Sequence, residues 1–337
     1  MRRIELSLAG VKVKFTDREQ AIKRIEEWAE KGTYPVQVVF GPEGCGKTAW
    51  LKQSAELLKE LGFDVIYVNP AESAFMVELG VADLRDRLMS LIREALEQFT
   101  WGKVIWSIIN IARSAIEAGT RKLAIIVDDA FQAIGLDKAA IYVKGLLGIL
   151  EHPPGHYERI ITITATSEGV SRREIGRHLW ARLMPIWNMP REGFEQLYEQ
   201  IPEPKLEFEE VWKLTGGNPR MLAELYRVGW NRWEVVNGLV VEKNMKAFTA
   251  SMGDRERKLL VEAIDDPDVL MSRDGVPLMD KLTELNLVVE IPEWRGPQYW
   301  IDAPPPERDP ELGIGRYVAW QSPLHREAVK KVLQELA

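Results

Sequence analysis

Apolar and polar positions alternate along the first half of the chain in segments that predict strands separated by helices. Val36-Gln37-Val38-Val39-Phe40 has the pattern of a buried strand and ends at a glycine. A helix is predicted from about Lys47 to Leu61, followed by a strand over Phe63–Val68 that closes at Asn69-Pro70. Residues 73–119 read as helices containing Trp101 and Trp106. Leu123–Val127 and Ile160–Ala165 read as further strands, and Leu183–Trp187 as a fifth. Upstream, Thr16 with Glu19 three residues later predicts a capping box. Phe15 precedes it, and Ile22, Ile25 and Trp28 form the apolar face of the helix that follows. Such alternation predicts an α/β fold, a parallel sheet with helices on both faces.

Beyond Pro190 the spacing becomes helical, with helices over Phe194–Gln200, Phe208–Leu214 and from Arg220 to Trp230. From Ser251 the pattern changes again. A helix over Arg255–Ile264 and a short one over Pro277–Leu285 precede a strand at Leu287–Ile291. A Pro- and Gly-rich stretch, 292–315, leads to Tyr317–Trp320 and a terminal helix. That order predicts a winged helix-turn-helix. The expected domains are therefore a core over 1–193, a helical lid over 194–250 and a winged helix over 251–337.

The composition narrows the function classes. Apolar residues make up 46% and charged residues 28% of 337, which is globular. The net charge of −7 supplies no bulk field toward nucleic acid. The single cysteine, Cys45, cannot form an intramolecular disulfide. The longest apolar run, Val104–Ala112, is interrupted by Ser107 and Asn110 and is too short to span a bilayer. Glu5 falls where a signal peptide needs apolar residues. The expectation is a cytoplasmic protein with no membrane partner.

Gly41-Pro42-Glu43-Gly44-Cys45-Gly46-Lys47-Thr48, with Ala49 after it, matches the P-loop pattern between a predicted strand and a predicted helix. In such a loop glycines turn backbone N–H groups toward phosphates, and the helix N-terminus adds its positive end. Lys47 is expected at the β- and γ-phosphates and the Thr48 hydroxyl on Mg2+. Asp128, delivered by the strand before it, is expected to hold the same Mg2+ through water. Asp129 either polarises the attacking water or caps a helix. Cys45 reads as a small residue filling the loop. His152 and His156 are separated by Pro153-Pro154-Gly155, which forbids the helix a zinc pair would need. Most of the 12 tryptophans fall at helical apolar positions and read as core.

With these motifs in place, the sequence resembles the archaeal STAND-type ATPases, P-loop NTPases related to AAA+ proteins. Phe15-Thr16-Asp17-Arg18-Glu19 resembles that family's N-terminal signature, which implies that Arg18 lines the adenine side. Thr164-Ala165-Thr166-Ser167 matches the polar sensor segment, which implies Ser167 near the γ-phosphate. Thr215-Gly216-Gly217-Asn218-Pro219-Arg220 resembles the family's lid motif, placing Pro219 beside adenine. Arg220 also stands where an AAA+ sensor-2 arginine would. Arg182, after Ala181 rather than a glycine, is the candidate arginine finger, with Arg172, Arg173 and Arg177 as competitors.

The resemblance implies an ASCE/AAA+-like fold that binds ATP or ADP with Mg2+ and hydrolyses ATP. It implies a switch that couples nucleotide state to domain arrangement and to a protein partner or self-association. The alternative is an Orc-like DNA-handling ATPase using its winged helix on duplex DNA. Charge disfavours it: residues 250–337 hold 11 Lys and Arg against 17 Asp and Glu. A GTPase is disfavoured because no Asn-Lys-x-Asp motif occurs.

Overall fold

Every position of Val36–Phe40 is buried, so this segment can only be an interior strand covered on both faces. The computed structural model describes residues 1–166 and 169–336. In chain order a hairpin of β1 (Glu5–Leu8) and β2 (Val11–Lys14) precedes α1 (Glu19–Lys31), β3 (Val36–Phe40) and α2 (Lys47–Glu60). Next come β4 (Asp64–Asn69), β5 (Ala74–Glu78), α3 (Ala82–Gln98), α4 (Trp101–Glu117) and β6 (Lys122–Asp128). The single turn α5 (Phe131–Ile134), α6 (Ala139–Glu151), β7 (Arg159–Thr166), α7 (Gly169–Gly176) and β8 (Ala181–Pro185) follow. Then α8 (Arg191–Tyr198), α9 (Phe208–Thr215), α10 (Pro219–Arg227), α11 (Arg232–Glu242) and α12 (Met245–Ala250) form a helical run. The chain finishes with α13 (Asp254–Asp265), α14 (Val276–Glu284), β9 (Val288–Glu290), β10 (Val318–Trp320) and α15 (Pro323–Leu336).

Two compact units divide the chain. The first comprises Met1–Ile4, Glu19–Phe40 and Lys47–Pro185. Its sheet runs β5-β4-β6-β7-β3-β8 among the described residues, parallel throughout except for the antiparallel edge strand β5. Alternate residues divide between the faces, as strand pleating requires. Val36, Val38, Ile66, Val68, Leu123, Ile125 and Val127 share one hydrophobic cluster with α3, α4 and α6. Val39, Val65, Tyr67, Ala124 and Ile126 are buried in the other register, where α1 and α2 pack together and touch β4, β6 and β7. The predicted α/β sheet with helices on both faces is what forms.

Three local expectations are corrected. The first helix begins at Glu19, because Asp17 and Arg18 take left-handed backbone angles, φ 56° and 64°. The Thr16 hydroxyl donates to Lys14 O instead of forming a capping box. Within 73–119, Ala74–Glu78 is a strand paired to β4, and the helices after it break at Phe99, φ 55°. The fifth parallel strand occupies Ala181–Pro185, ending two residues before Trp187.

The second unit comprises Glu5–Arg18, Gly41–Gly46 and Ile186–Ala337. One hydrophobic cluster joins Val13 of the hairpin, Phe194 and Leu222 of the helical run, and Leu260, Leu282 and Val329 of the C-terminal segment. The helical run and the C-terminal segment thus contribute to one core. The order helix, helix, antiparallel strand pair and helix does form after Ser251, with Val288, Val289 and Glu290 paired to Trp320, Ala319 and Val318. Among the described residues, no helix is long and apolar enough to cross a membrane.

Asp268 holds the second strand of that pair in place. Its carboxylate accepts from the backbone N–H groups of Arg316, Tyr317 and Val318 at 2.7, 2.8 and 3.1 Å. Asp268→Ala would leave three donors to find water at the start of β10, so we expect about 3 kcal/mol lower stability by urea unfolding. A loss below about 0.5 kcal/mol, the scale of an ordinary surface substitution, would show that the carboxylate does not hold the strand.

Candidate functional site

Parallel strands collect their C-terminal ends along one edge, and β6 ends there with Asp128. Asp128 is fully buried. Its Oδ2 accepts from Asn69 Nδ2 at 2.9 Å and from the Tyr67 hydroxyl at 3.4 Å, both on the neighbouring strand β4. Asn69 is fixed in turn, since its Oδ1 accepts from Glu72 N at 2.9 Å. Asp128 Oδ1 is buried with no hydrogen-bond partner at full contact, and so is the Thr164 hydroxyl on β7. Burial, and then the adjacent Asp129, push the Asp128 carboxyl well above the usual carboxylate range; Thr48, Lys47 and Asn69 act the other way. Asp129 is half-buried, in the left-handed region at φ 44°, and its N–H donates to Ala165 O at 3.2 Å. The residue preceding α5 is Ala130, whose side chain offers no cap.

The glycine segment of the loop packs within the second unit. Gly44 and Gly46 take φ of 75° and 98°, a region costly for residues with a Cβ. A Cβ on Gly41 would sit 2.0 Å from Ile186 O, and one on Gly44 would sit 2.3 Å from the Cβ of Arg220. Glycine is required at Gly41 by the approach of backbone and at Gly44 by the approach of the Arg220 side chain. Asn218 caps α10, accepting from Arg220 N at 3.0 Å and Met221 N at 3.2 Å, with Pro219 at the first helical position. Its Nδ2 also donates to Glu43 O and to Asn188 Oδ1, both at 2.9 Å. The Asn-Pro-Arg turn is therefore seated directly on the loop.

Glu43 is the centre of an ion network that the sequence did not reveal. Its carboxylate pairs with Arg220 at 3.0 Å and with Lys243, after α11, at 2.9 Å, while its N–H donates to Gln321 Oε1 at 2.8 Å. Burial opposes its charge, but Lys243 and Arg220 outweigh that and hold its pKa below the usual value. Arg220, which stands where a sensor-2 arginine would, is engaged by this carboxylate.

Arg18, expected beside adenine, is 3% exposed. It pairs through Nη1 with Asp302 Oδ2 at 2.7 Å, and its Nη2 donates to Cys45 O at 2.6 Å and Trp187 O at 2.9 Å. Through these contacts it grips the loop. Cys45 is buried, as its reading as loop filler requires.

Arg182, the candidate arginine finger, lies on β8. It is exposed near the start of β8, opposite Gln37, three residues before the strand reaches the ligand end of the sheet. Arg172 holds its guanidinium 4.9 Å from the Phe40 ring at the end of β3. Ser167 lies outside the described residues. His152 and His156 are both exposed, and no cluster of three or more His, Cys, Asp or Glu suits a metal among the described residues.

The chain belongs to a family described as an ATPase domain predominantly from Archaea, whose model matches residues 15–225. No curated protein matches the sequence. Among solved structures, the Aeropyrum pernix ORC2 protein in its ADPNP–ADP complexes is 11% identical, with a TM-score of 0.42 over 94% of each chain. AMPPCP-bound DnaA from Aquifex aeolicus is 16% identical, with a TM-score of 0.39 over 80% of this chain and 78% of its own. Drosophila ORC bound to DNA is 13% identical, with a TM-score of 0.40 over 95% of this chain and 87% of its own.

His325, beside the Glu43 network, yields a pH test. Its Nδ1 lies 2.8 Å from the Ser322 hydroxyl, and burial, followed by Lys243 and Arg220 against Glu43, pulls its pKa down to about 3. In the unfolded chain it would titrate near its ordinary value, about 6.5. Between those values unfolding takes up a proton, so its stability contribution is complete above about pH 6.5 and falls with pH by up to about 1.4 kcal/mol per unit. We expect the parent to lose more stability between pH 7 and pH 5 than His325→Gln in urea titrations. Equal losses would mean His325 is not buried neutral.

Proposed function

We propose that this protein binds and hydrolyses ATP and reads its nucleotide state through the Asn218–Arg220 turn, as a STAND-type switch. The observation that carries the switch reading is the seat of that turn against Glu43 and Gly44 of the P-loop. A change at the phosphates is then felt by α10 without an intermediary. The acidic end of β6 supports hydrolysis, because it sets the carboxylates of Asp128 and Asp129 side by side at the C-terminal edge of the parallel sheet.

In this reading the loop and the start of α2 hold the β- and γ-phosphates, with Lys47 supplying positive charge. The orphaned Asp128 Oδ1, with the Thr48 hydroxyl near the same carboxylate, fits an Mg2+ site. Thr48 would ligate the ion and Asp128 hold it through water; bound there, Mg2+ neutralises phosphate charge. Asp129 orients the attacking water and accepts its proton. Asn69 keeps Asp128 from rotating. Arg172 is the better candidate than Arg182 for charge near the end of β3.

The region after Ser251 is read as a winged helix that contacts protein rather than duplex DNA, on its net charge of −6, 11 minus 17, over residues 250–337. A DNA-handling initiator remains the competing class. Duplex binding by the full chain, submicromolar near 150 mM salt and falling steeply with added salt, would favour that class.

Lys47→Ala is expected to abolish both nucleotide binding and turnover. Asp129→Asn should keep ATP affinity within about threefold and lower hydrolysis by about 10²–10⁴, the usual scale for a general base. Calorimetry with ADP and phosphate release with ATP separate the two. Hydrolysis by Lys47→Ala at the parent rate would sink the ATPase site, and full hydrolysis by Asp129→Asn would remove Asp129 from the chemistry.

A further inference from the structure

We propose that Asp302 is a positioning residue for the P-loop, acting through Arg18. The inference rests on the nucleotide reading above and adds a residue that no motif marks. Arg18 and Asp302 are 3% and 4% exposed, and their side chains meet at 2.7 Å across 284 positions of sequence. The same guanidinium donates from Nη2 to Cys45 O at 2.6 Å and to Trp187 O at 2.9 Å. One buried cation thus ties the loop to the segment after β8 and to the Trp300–Asp302 segment, where Trp300 packs with Trp187, Ile291 and Ile314.

The tether matters because of where it lands. Cys45 stands between Gly44 and Gly46, both at positive φ, so its flanking residues restrain the loop least. Its N–H already donates to Pro42 O at 3.3 Å. A peptide unit is planar and trans, so fixing Cys45 C=O aims the N–H of Gly46 the opposite way. Arg18 therefore sets the direction of a backbone donor in the glycine segment, away from the guanidinium. Asp302 keeps that guanidinium in place and compensates its charge. Without the carboxylate, an uncompensated buried cation would seek water and release the carbonyl. The loop would then present its donors in many orientations, and nucleotide would have to order it on binding.

The role predicts a loss of nucleotide affinity that is transmitted and not additive. Full-length Asp302→Asn should bind ADP about tenfold more weakly by calorimetry, with kcat at saturating ATP within about threefold of the parent. Arg18→Met should lose at least as much affinity, and adding Asp302→Asn to it should lose nothing further, since the relay is already cut. Removing one charge from a buried pair can unfold a protein, so Arg18→Met combined with Asp302→Leu replaces both by apolar side chains. That protein should match the parent in thermal unfolding without nucleotide, yet still bind ADP about tenfold more weakly. Parent-like ADP affinity in Asp302→Asn or in the apolar pair, or additive losses in the cycle, would overturn the proposal. Lys47→Ala tests the reading beneath it separately: normal ADP binding there removes the nucleotide site, whereas lost binding there with intact binding in the Asp302 variants overturns the relay alone.

Discussion

The absence of side chains at Gly41 and Gly44 is the constraint on which the surrounding structure depends. With a Cβ at either position the loop would collide with Ile186 O or with the Cβ of Arg220. Neither neighbour can yield cheaply, since one is backbone and the other is the first side-chain carbon of a helical residue. Because nothing projects from the loop there, Asn218 can cap α10 and donate to Glu43 O at once. The glycines of a phosphate-binding loop are usually justified by the approach of phosphate. Here they are also required by the approach of protein.

Much of the sheet was legible because its strands are short apolar runs bounded by Gly, Pro, Asn and Asp. β3, β4, β6 and β7 form within two residues of their expected ends. The β5 strand was hidden because an edge strand needs only one buried face, and Ala74–Glu78 buries no residue fully. The β1–β2 hairpin carried a readable signal, alternating Leu6, Leu8, Val11 and Val13 around Ala9-Gly10, both at positive φ. The P-loop and the acidic pair were visible because their chemistry demands particular residue types at fixed spacing. Asn69 was visible only as a strand terminator. Its bond to Asp128 depends on β4 pairing with β6, which spacing along the chain does not encode. Asp302 was invisible for the same reason.

The energetics of the buried pair favour placement over stability as its purpose. Two unit charges 2.7 Å apart attract by about 6 kcal/mol at an effective dielectric of 20. Burying each ion costs several kcal/mol, so the two effects nearly cancel. Apolar side chains of similar volume would hold Arg18 and Asp302 positions together about as well. They could not accept or donate hydrogen bonds, and the contact with Cys45 O would be lost. The position of a carbonyl, rather than net folding energy, is what the ion pair secures.

Two arginines touch the same loop, and their surroundings give them opposite characters. Arg18 is 3% exposed and divides its guanidinium among a carboxylate and two carbonyls, so moving it breaks three contacts in a dry site. The Arg220 side chain is 53% exposed and its guanidinium pairs with Glu43. An exposed pair of that kind contributes about 0–1 kcal/mol, because water replaces what is lost. Glu43 also loses little when Arg220 leaves, since Lys243 remains on its other oxygen at 2.9 Å. A group that is to respond to a ligand must exchange partners for a free-energy difference the ligand can supply. Arg220 meets that condition and Arg18 does not. On the proposed reading, the loop is held by one arginine and read by the other.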